Sequence, residues 1–184
     1  MKEFPVLETD RLRLRQLMAR DIDRIVQYAN NPKIEEMTLN MPFPYGEKDA
    51  VSWLATAHEG FSEERHYVFG ICSLQTDKVM GGIGLKVNKR FNRAELGFWL
   101  GEPFWSKGYI TEGVEAVLEF GFNELELNKI FAFHMVKNPA SGKVMTKNGM
   151  VKEAELVEHI RKGEEYIDVV QYRLTRKEFN RMDR

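Results

Sequence analysis

Two apolar runs bracket the middle of this chain, and what lies between them restricts the fold more than any other feature. RAELGFWL (93–100) and KIFAFHMV (129–136) are short and rich in aromatic and aliphatic residues, so both read as strands. A tight turn would pair them as a hairpin. Instead the stretch between them holds FWSKGYITEGVEAVLEFGF (104–122), where Ile110, Val114, Val117, Leu118, Gly121 and Leu125 fall at helical spacing. A helix from about Ile110 to Leu125 between two strands makes those strands parallel neighbours in a β-α-β unit.

The segments around this unit predict an antiparallel surround. YVFGICSL, MGGIGLKV and RAELGFWL follow one another with only QTDK and NKRFN between them, the spacing of a meander. RLRLRQL (11–17) alternates, with Leu12 and Leu14 on one side and Arg11, Arg13 and Arg15 on a solvated face. Asp21 caps a helix whose apolar residues are Ile22, Ile25, Val26 and Ala29, and NNP at Asn30–Pro32 stops it. After the irregular NMPFPYGE, a second helix runs from about Glu47 to Glu59, with Val51, Leu54 and His58 near one face. NPASGKVMTKNGM carries a short helix with Val144 and Met145 as its apolar positions and Asn148-Gly149 as its stop. The last segments, VKEAELVEHI and IDVVQYRL, form a hairpin turning at Lys162-Gly163. The predicted class is α+β around one mixed sheet, in a single domain spanning residues 1–184.

Composition removes several function classes. Lys plus Arg is 27 against 28 for Asp plus Glu, which argues against a general nucleic-acid binder. No run approaches the ~18 apolar residues of a membrane span, and MKEFPVLETDRL lacks a secretory apolar core, so the expected location is cytoplasmic, with no membrane partner. The single cysteine, Cys72, sits in an apolar run and reads as a small core residue. His58, His66 and His134 show no metal-ligand spacing, so no metal is expected.

The turn ahead of the central helix supports two readings. One is punctuation. The other is an anion site, because a helix begins with unpaired N–H groups and a partial positive charge, while Gly108 lets backbone approach a ligand and Lys107, Ser106 and Thr111 add polar groups. A Walker loop is absent, and GGIGLK at 81–86 lies inside a strand.

ETDRLRLRQL, AELGFWLGEPFWSKGYITEG, NKIFAFHMVKNPASGKVMTKNGM and YIDVVQYRL together, in this order, resemble the GNAT N-acetyltransferases, in the branch of the RimJ/RimL ribosomal-protein N-terminal acetyltransferases. The resemblance implies a mostly antiparallel sheet, flanked by helices, with a V-shaped split between two parallel strands. It implies acetyl-CoA as co-substrate, a primary amine as acceptor (a protein N-terminus or a small molecule) and a homodimer as a plausible assembly. The pyrophosphate would sit on the Q/R-x-x-G-x-G/A loop, where this chain has Trp105, Ser106, Lys107, Gly108, Tyr109 and Ile110, followed by Thr111. Trp105 and Ile110 depart from the signature; Gly108 matches it. The backbone of Phe98, Trp99 and Leu100 would pair with the pantetheine arm. Asn138 and Ser141 match the family's N-x-x-S, with Lys143 beyond them on the same helix.

Acetyl transfer to an amine needs a neutral nucleophile, an oxyanion donor and a proton for the leaving thiolate. The expected donor is a backbone N–H near Trp99 or Leu100, and Ser141 is the candidate for the thiolate; Ser141 also suits the cap of the short helix. Glu95, on the strand face of Gly97 and Trp99, is a candidate base, or else the partner of an arginine such as Arg93. Where some relatives carry an acid this chain has Ile160, leaving Glu158 and His159 as substitutes. Glu112, Glu115 and Glu119 read as a solvated stripe, Asp168 as ordering the terminal hairpin, and Tyr45, Met41 and Phe43 as shaping the acceptor pocket. A CoA-binding module without catalysis is the rival expectation, motivated by Ile110 and Ile160.

Overall fold

Among the described residues, strands run antiparallel to their neighbours everywhere but at one seam, and the candidate site lies at that seam. The structure, a computed structural model, describes residues 3–182. The strands are β1 (Leu7–Glu8), β2 (Leu12–Gln16), β3 (His66–Ser73), β4 (Val79–Asn88), β5 (Arg93–Leu100), β6 (Lys129–Met135), β7 (Val151–Lys162) and β8 (Glu165–Thr175), in the order β1-β2-β3-β4-β5-β6-β8-β7. β5 and β6 are the parallel pair, and they pair only over Arg93–Glu95 against Lys129–Phe131. Beyond Glu95 they diverge, which is the expected V.

The helices are α1 (Ile22–Ala29), α2 (Pro32–Met37), α3 (Glu47–Ser62), α4 (Tyr109–Glu119), α5 (Pro139–Lys147) and α6 (Arg176–Phe179). Strand alternation divides the core. Phe69 and Ile71 of β3 join Leu12, Leu14, Ile83 and Leu85 beneath Val114, Val117 and Leu118 of α4. Val68 and Cys72, on the opposite face of β3, join Ile25, Ala29, Leu54 and Ala57 of α1 and α3. Burying both sides of the central strands is what lets them be nearly continuous in apolar residues. α4 continues as a single π-helical turn over Phe120–Glu124, so the helical path reaches Leu125 as the spacing predicts, with one change of winding.

Several local expectations are corrected. Arg15 is not on a solvated face. Its side chain is 7% exposed and bonds both carboxylate oxygens of Asp21 (2.8 and 2.9 Å), with Nε on Asp77 at 2.9 Å. Asp21 does hold the N-cap position of α1, but its side chain makes no capping bond to the helix; its carboxylate also accepts from Met18 N at 2.9 Å and closes the turn before the helix. Pro32 ends α1 and also starts α2, as proline at a first turn can, with Asn31 as the cap through Lys33 N at 2.9 Å. On α3 the buried residues are Ala50, Leu54, Ala57 and Gly60, while Val51 is 47% exposed and His58 reaches Leu17 O at 2.8 Å. The terminal hairpin does turn at Gly163, but β8 docks on β6 and leaves β7 at the edge. No helix among the described residues is long and apolar enough to cross a membrane.

Candidate active site

α4 follows β5 through a short loop and begins on Gly108. Gly108 has φ of +82°, a left-handed conformation that costs other residues about 1–2 kcal/mol. Ser106 is left-handed too, with φ of +61°. This loop is held from outside by Arg11. The Arg11 guanidinium donates to Lys107 O at 3.0 Å, lies 4.7 Å over the Tyr109 ring and meets the Glu112 carboxylate at 2.6 Å. Glu112 also accepts from Thr9 Oγ1 (2.6 Å) and Arg11 N (2.9 Å). Partial burial works to raise the Glu112 carboxyl, and these bonds outweigh it and hold it below the usual range. Glu112 is thus a latch rather than part of a solvated stripe.

The other loop residues have structural partners. Trp105 Nε1 donates to Leu100 O at 2.6 Å, so the tryptophan in the signature position ties the loop to the end of β5. Lys107 Nζ turns back to Pro103 O at 2.8 Å. Ile110 packs against the main core, which takes its bulk away from the loop. Glu102, through Asn31 Nδ2 at 2.7 Å and an ion pair with Lys33, binds this segment to the start of α2.

Across the V stands α5. Asn138, not Ser141, caps it, accepting from Ser141 N at 3.4 Å and donating to Met37 O at 3.2 Å. The Ser141 hydroxyl makes no hydrogen bond among the described residues, and Ser141 lines the cleft. Lys143 is exposed on α5.

The cleft itself encloses about 380 Å³ on the α1/α3 side of the sheet. Phe98 and Trp99 of β5 line it, with Met37, Met41, Trp53 and Phe133 as apolar walls. Trp53 and Trp99 meet edge to face, with ring centroids 6.0 Å apart. They lie directly over β4, where a Cβ at Gly82 would sit 2.6 Å from the Trp53 ring. Of the residues expected to shape this pocket, Met41 lines it, Tyr45 is buried in the α1/α3 core and Phe43 is half exposed.

At the floor, one register line crosses four strands: His66 opposite Lys86, Lys86 opposite Glu95, Glu95 opposite Phe131. Glu95 therefore occupies the last paired position before the V opens. It makes no ion pair among the described residues, and Arg93 is not its partner. His66 is held below its usual pKa, first by burial and then by the charges of Lys86 and Arg65, so at neutral pH it is an uncharged imidazole in the cleft. His66 escaped the sequence reading because its place depends on pairing between distant strands. The other candidate base stands apart: Glu158 is exposed on a bulge of β7 with φ of +48° and is not among the lining residues. Its N–H donates to Asp168 Oδ1 at 2.7 Å, so Asp168 does order the hairpin. His159 is exposed and rests near Phe133. Cys72 is fully buried on another strand and burial pushes its thiol up to about 12, which leaves no thiolate for chemistry.

A family profile described as "Acetyltransferase (GNAT) domain" matches residues 11–151. The chain belongs to the GNAT acetyltransferase family. Among the GNAT relatives it is similar to, the uncharacterized N-acetyltransferase YoaA of Bacillus subtilis is 30% identical, over 85% of this chain and 89% of that one. The RimL ribosomal L7/L12 α-N-protein acetyltransferase, solved with coenzyme A, superposes with a TM-score of 0.85 at 15% identity, covering 93% of this chain and 98% of that one. The Vibrio cholerae spermidine N-acetyltransferase, solved with CoA and spermine, gives 0.79 at 23% identity, covering 94% and 99%. At these identities the solved structures show a shared GNAT fold.

Proposed function

We propose that this GNAT protein is an acetyl-CoA-dependent N-acetyltransferase that passes the acetyl group directly to a primary amine. The observation that carries this reading is the parting of β5 and β6 after Glu95, with Ser141 lining the cleft there, together with a left-handed Gly108 at the start of α4, the helix that follows β5. The freed edge of β5 at Phe98–Leu100 suits a pantetheine arm, as an added strand does. The loop from Lys107 to Thr111 suits the pyrophosphate. Two of the structural neighbours were solved with coenzyme A, which supports the same co-substrate here.

In the reaction, the amine nitrogen bonds to the thioester carbonyl carbon and the carbon–sulfur bond breaks. A backbone N–H near Trp99 stabilises the oxyanion. The proton shed by nitrogen passes to Glu95, directly or through water, and the Ser141 hydroxyl supplies one to the departing sulfur and regains it from solvent. Buried Cys72 gives no route to an acetyl-enzyme. Ile110, one of the two departures that motivated a non-catalytic CoA binder, packs against the core, which supports the catalytic reading.

Release of free thiol from acetyl-CoA, followed with a panel of primary amines, tests this reading. Amine-stimulated release together with a raised melting temperature in acetyl-CoA is the expected result. Binding without stimulation by any amine would favour the non-catalytic module, and the lack of any melting shift would overturn the co-substrate.

A further inference from the structure

Beneath the apex of the V lies a groove of about 530 Å³. Lys86 and Glu95 line both it and the cleft, so the two adjoin. Two of the groove's cations are already neutralised: Arg65 pairs with Glu63, and Lys89 with Glu64 at 2.9 Å. Lys86 and Arg93 have no ion pair among the described residues. Arg93 is exposed, and it is flanked by two aromatic rings. Its guanidinium lies 5.4 Å from the Phe91 ring centroid and 5.3 Å from that of Phe131, so two rings hold it in place. Its N–H donors make no hydrogen bond among the described residues. A planar, anchored guanidinium with unused donors matches a carboxylate in two-point contact.

Arg93 and Glu95 are alternate residues of β5, so their side chains leave the same face about 7 Å apart. Lys86 stands opposite Glu95 on β4. The floor therefore offers one negative site at the V apex, one positive site level with it across β4 and a second positive site two residues below it on β5.

Resting on the N-acetyltransferase reading, we propose that the acceptor is a primary amine carrying a carboxylate several bonds away. Its amine lies at Glu95 and its carboxylate at Arg93, assisted by Lys86. The separation is too long for an α-amino acid's own carboxylate. It suits an acidic side chain just after a free N-terminus, or the side-chain carboxylate of a free dicarboxylic amino acid. A polyamine, with a second cation where this floor is positive, is disfavoured by charge.

The test compares kcat/KM at saturating acetyl-CoA for matched acceptors: the amide-capped peptides Ser-Glu-Ala and Ser-Gln-Ala, free L-glutamate and L-glutamine, and spermidine. At least one acidic member exceeds its neutral isostere by about tenfold, the size expected of a charge-assisted hydrogen bond. Which pair shows the difference tells peptide from free amino acid. Arg93→Met brings that ratio towards one, and Arg93→Lys restores it only in part; the KM for acetyl-CoA reports that each variant is folded. Equal rates within both pairs, or spermidine as the best acceptor, would overturn the proposal while leaving the transferase reading intact. No transfer to any amine would overturn both, and the melting shift in acetyl-CoA would then show whether the co-substrate site survives.

Discussion

The Arg11 guanidinium and the Glu112 carboxylate meet at 2.6 Å across 101 residues of sequence, and Arg11 also holds the carbonyl of Lys107. One arginine thus joins the start of the chain, the first turn of α4 and the loop that precedes it. Holding a loop carbonyl from outside leaves the N–H groups of the loop free to face a ligand.

Loosening this latch acts on the co-substrate more than on the chemistry. Glu112→Gln and Arg11→Ala each raise the KM for acetyl-CoA several-fold, with a smaller change in kcat. Arg11→Lys does not rescue, because a single ammonium cannot bond the carboxylate and the carbonyl in the same fork. Steady-state kinetics with acetyl-CoA as the varied substrate measures the split.

Gly108→Ala tests backbone strain alone. The left-handed φ costs about 1–2 kcal/mol, and the added Cβ would approach Arg11 Nη2 at 3.3 Å. A modest drop in melting temperature is expected. Gly108→Glu goes further and abolishes CoA binding, since a carboxylate would stand where the proposed reading puts the pyrophosphate. Titration calorimetry with CoA reads the difference between the two variants.

Ser141→Ala lowers kcat by about tenfold or more, the scale of a lost proton donor, with acetyl-CoA affinity near normal. Because Asn138 performs the capping, the alanine variant keeps its melting temperature. Unchanged turnover would remove Ser141 from the chemistry.

Asp21→Asn tests the buried pair with Arg15. Burial works to raise the Asp21 carboxyl, but the bonds from Arg15 and Met18 N prevail and lower it. The unfolded chain takes up a proton near the ordinary value of about 3.9, while the folded chain resists it. The stabilisation is therefore complete above that pH and is lost as pH falls through the lower folded value. At neutral pH the asparagine variant loses about 2–3 kcal/mol, with Asp77 still bound to Arg15. Denaturant melts across pH 3–7 show a shallower acid dependence than the parent.

The architecture was legible in the sequence because its signals are local. Alternation set the meander, and the helix between 93–100 and 129–136 required parallel neighbours. Gly108 announced its own backbone. The floor of the cleft was not legible, since His66, Lys86, Glu95 and Phe131 align only once the register of three strand pairs is known. Arg15 misled for a related reason: alternation put it with Arg11 and Arg13, and only folding brought Asp21 and Asp77 around it. Glu158 stands two residues before Ile160, a spacing that would share a face on a regular strand, and the bulge between Leu156 and Ile160 breaks that alternation. Pro32 shows that one residue can end a helix and begin the next.

The seam between β5 and β6 has a further consequence. An unpaired strand margin on the outside of a protein is a template for joining other chains. Here the unpaired margin of β5 is in the middle of the sheet, walled by α4, α5 and the aromatic residues of the cleft. The molecule can thus keep an open row of backbone groups without offering it to a neighbouring chain. A slender extended ligand can enter where a whole strand of another protein, with side chains on both faces, cannot. The shape that makes room for a ligand also protects the protein against aggregation.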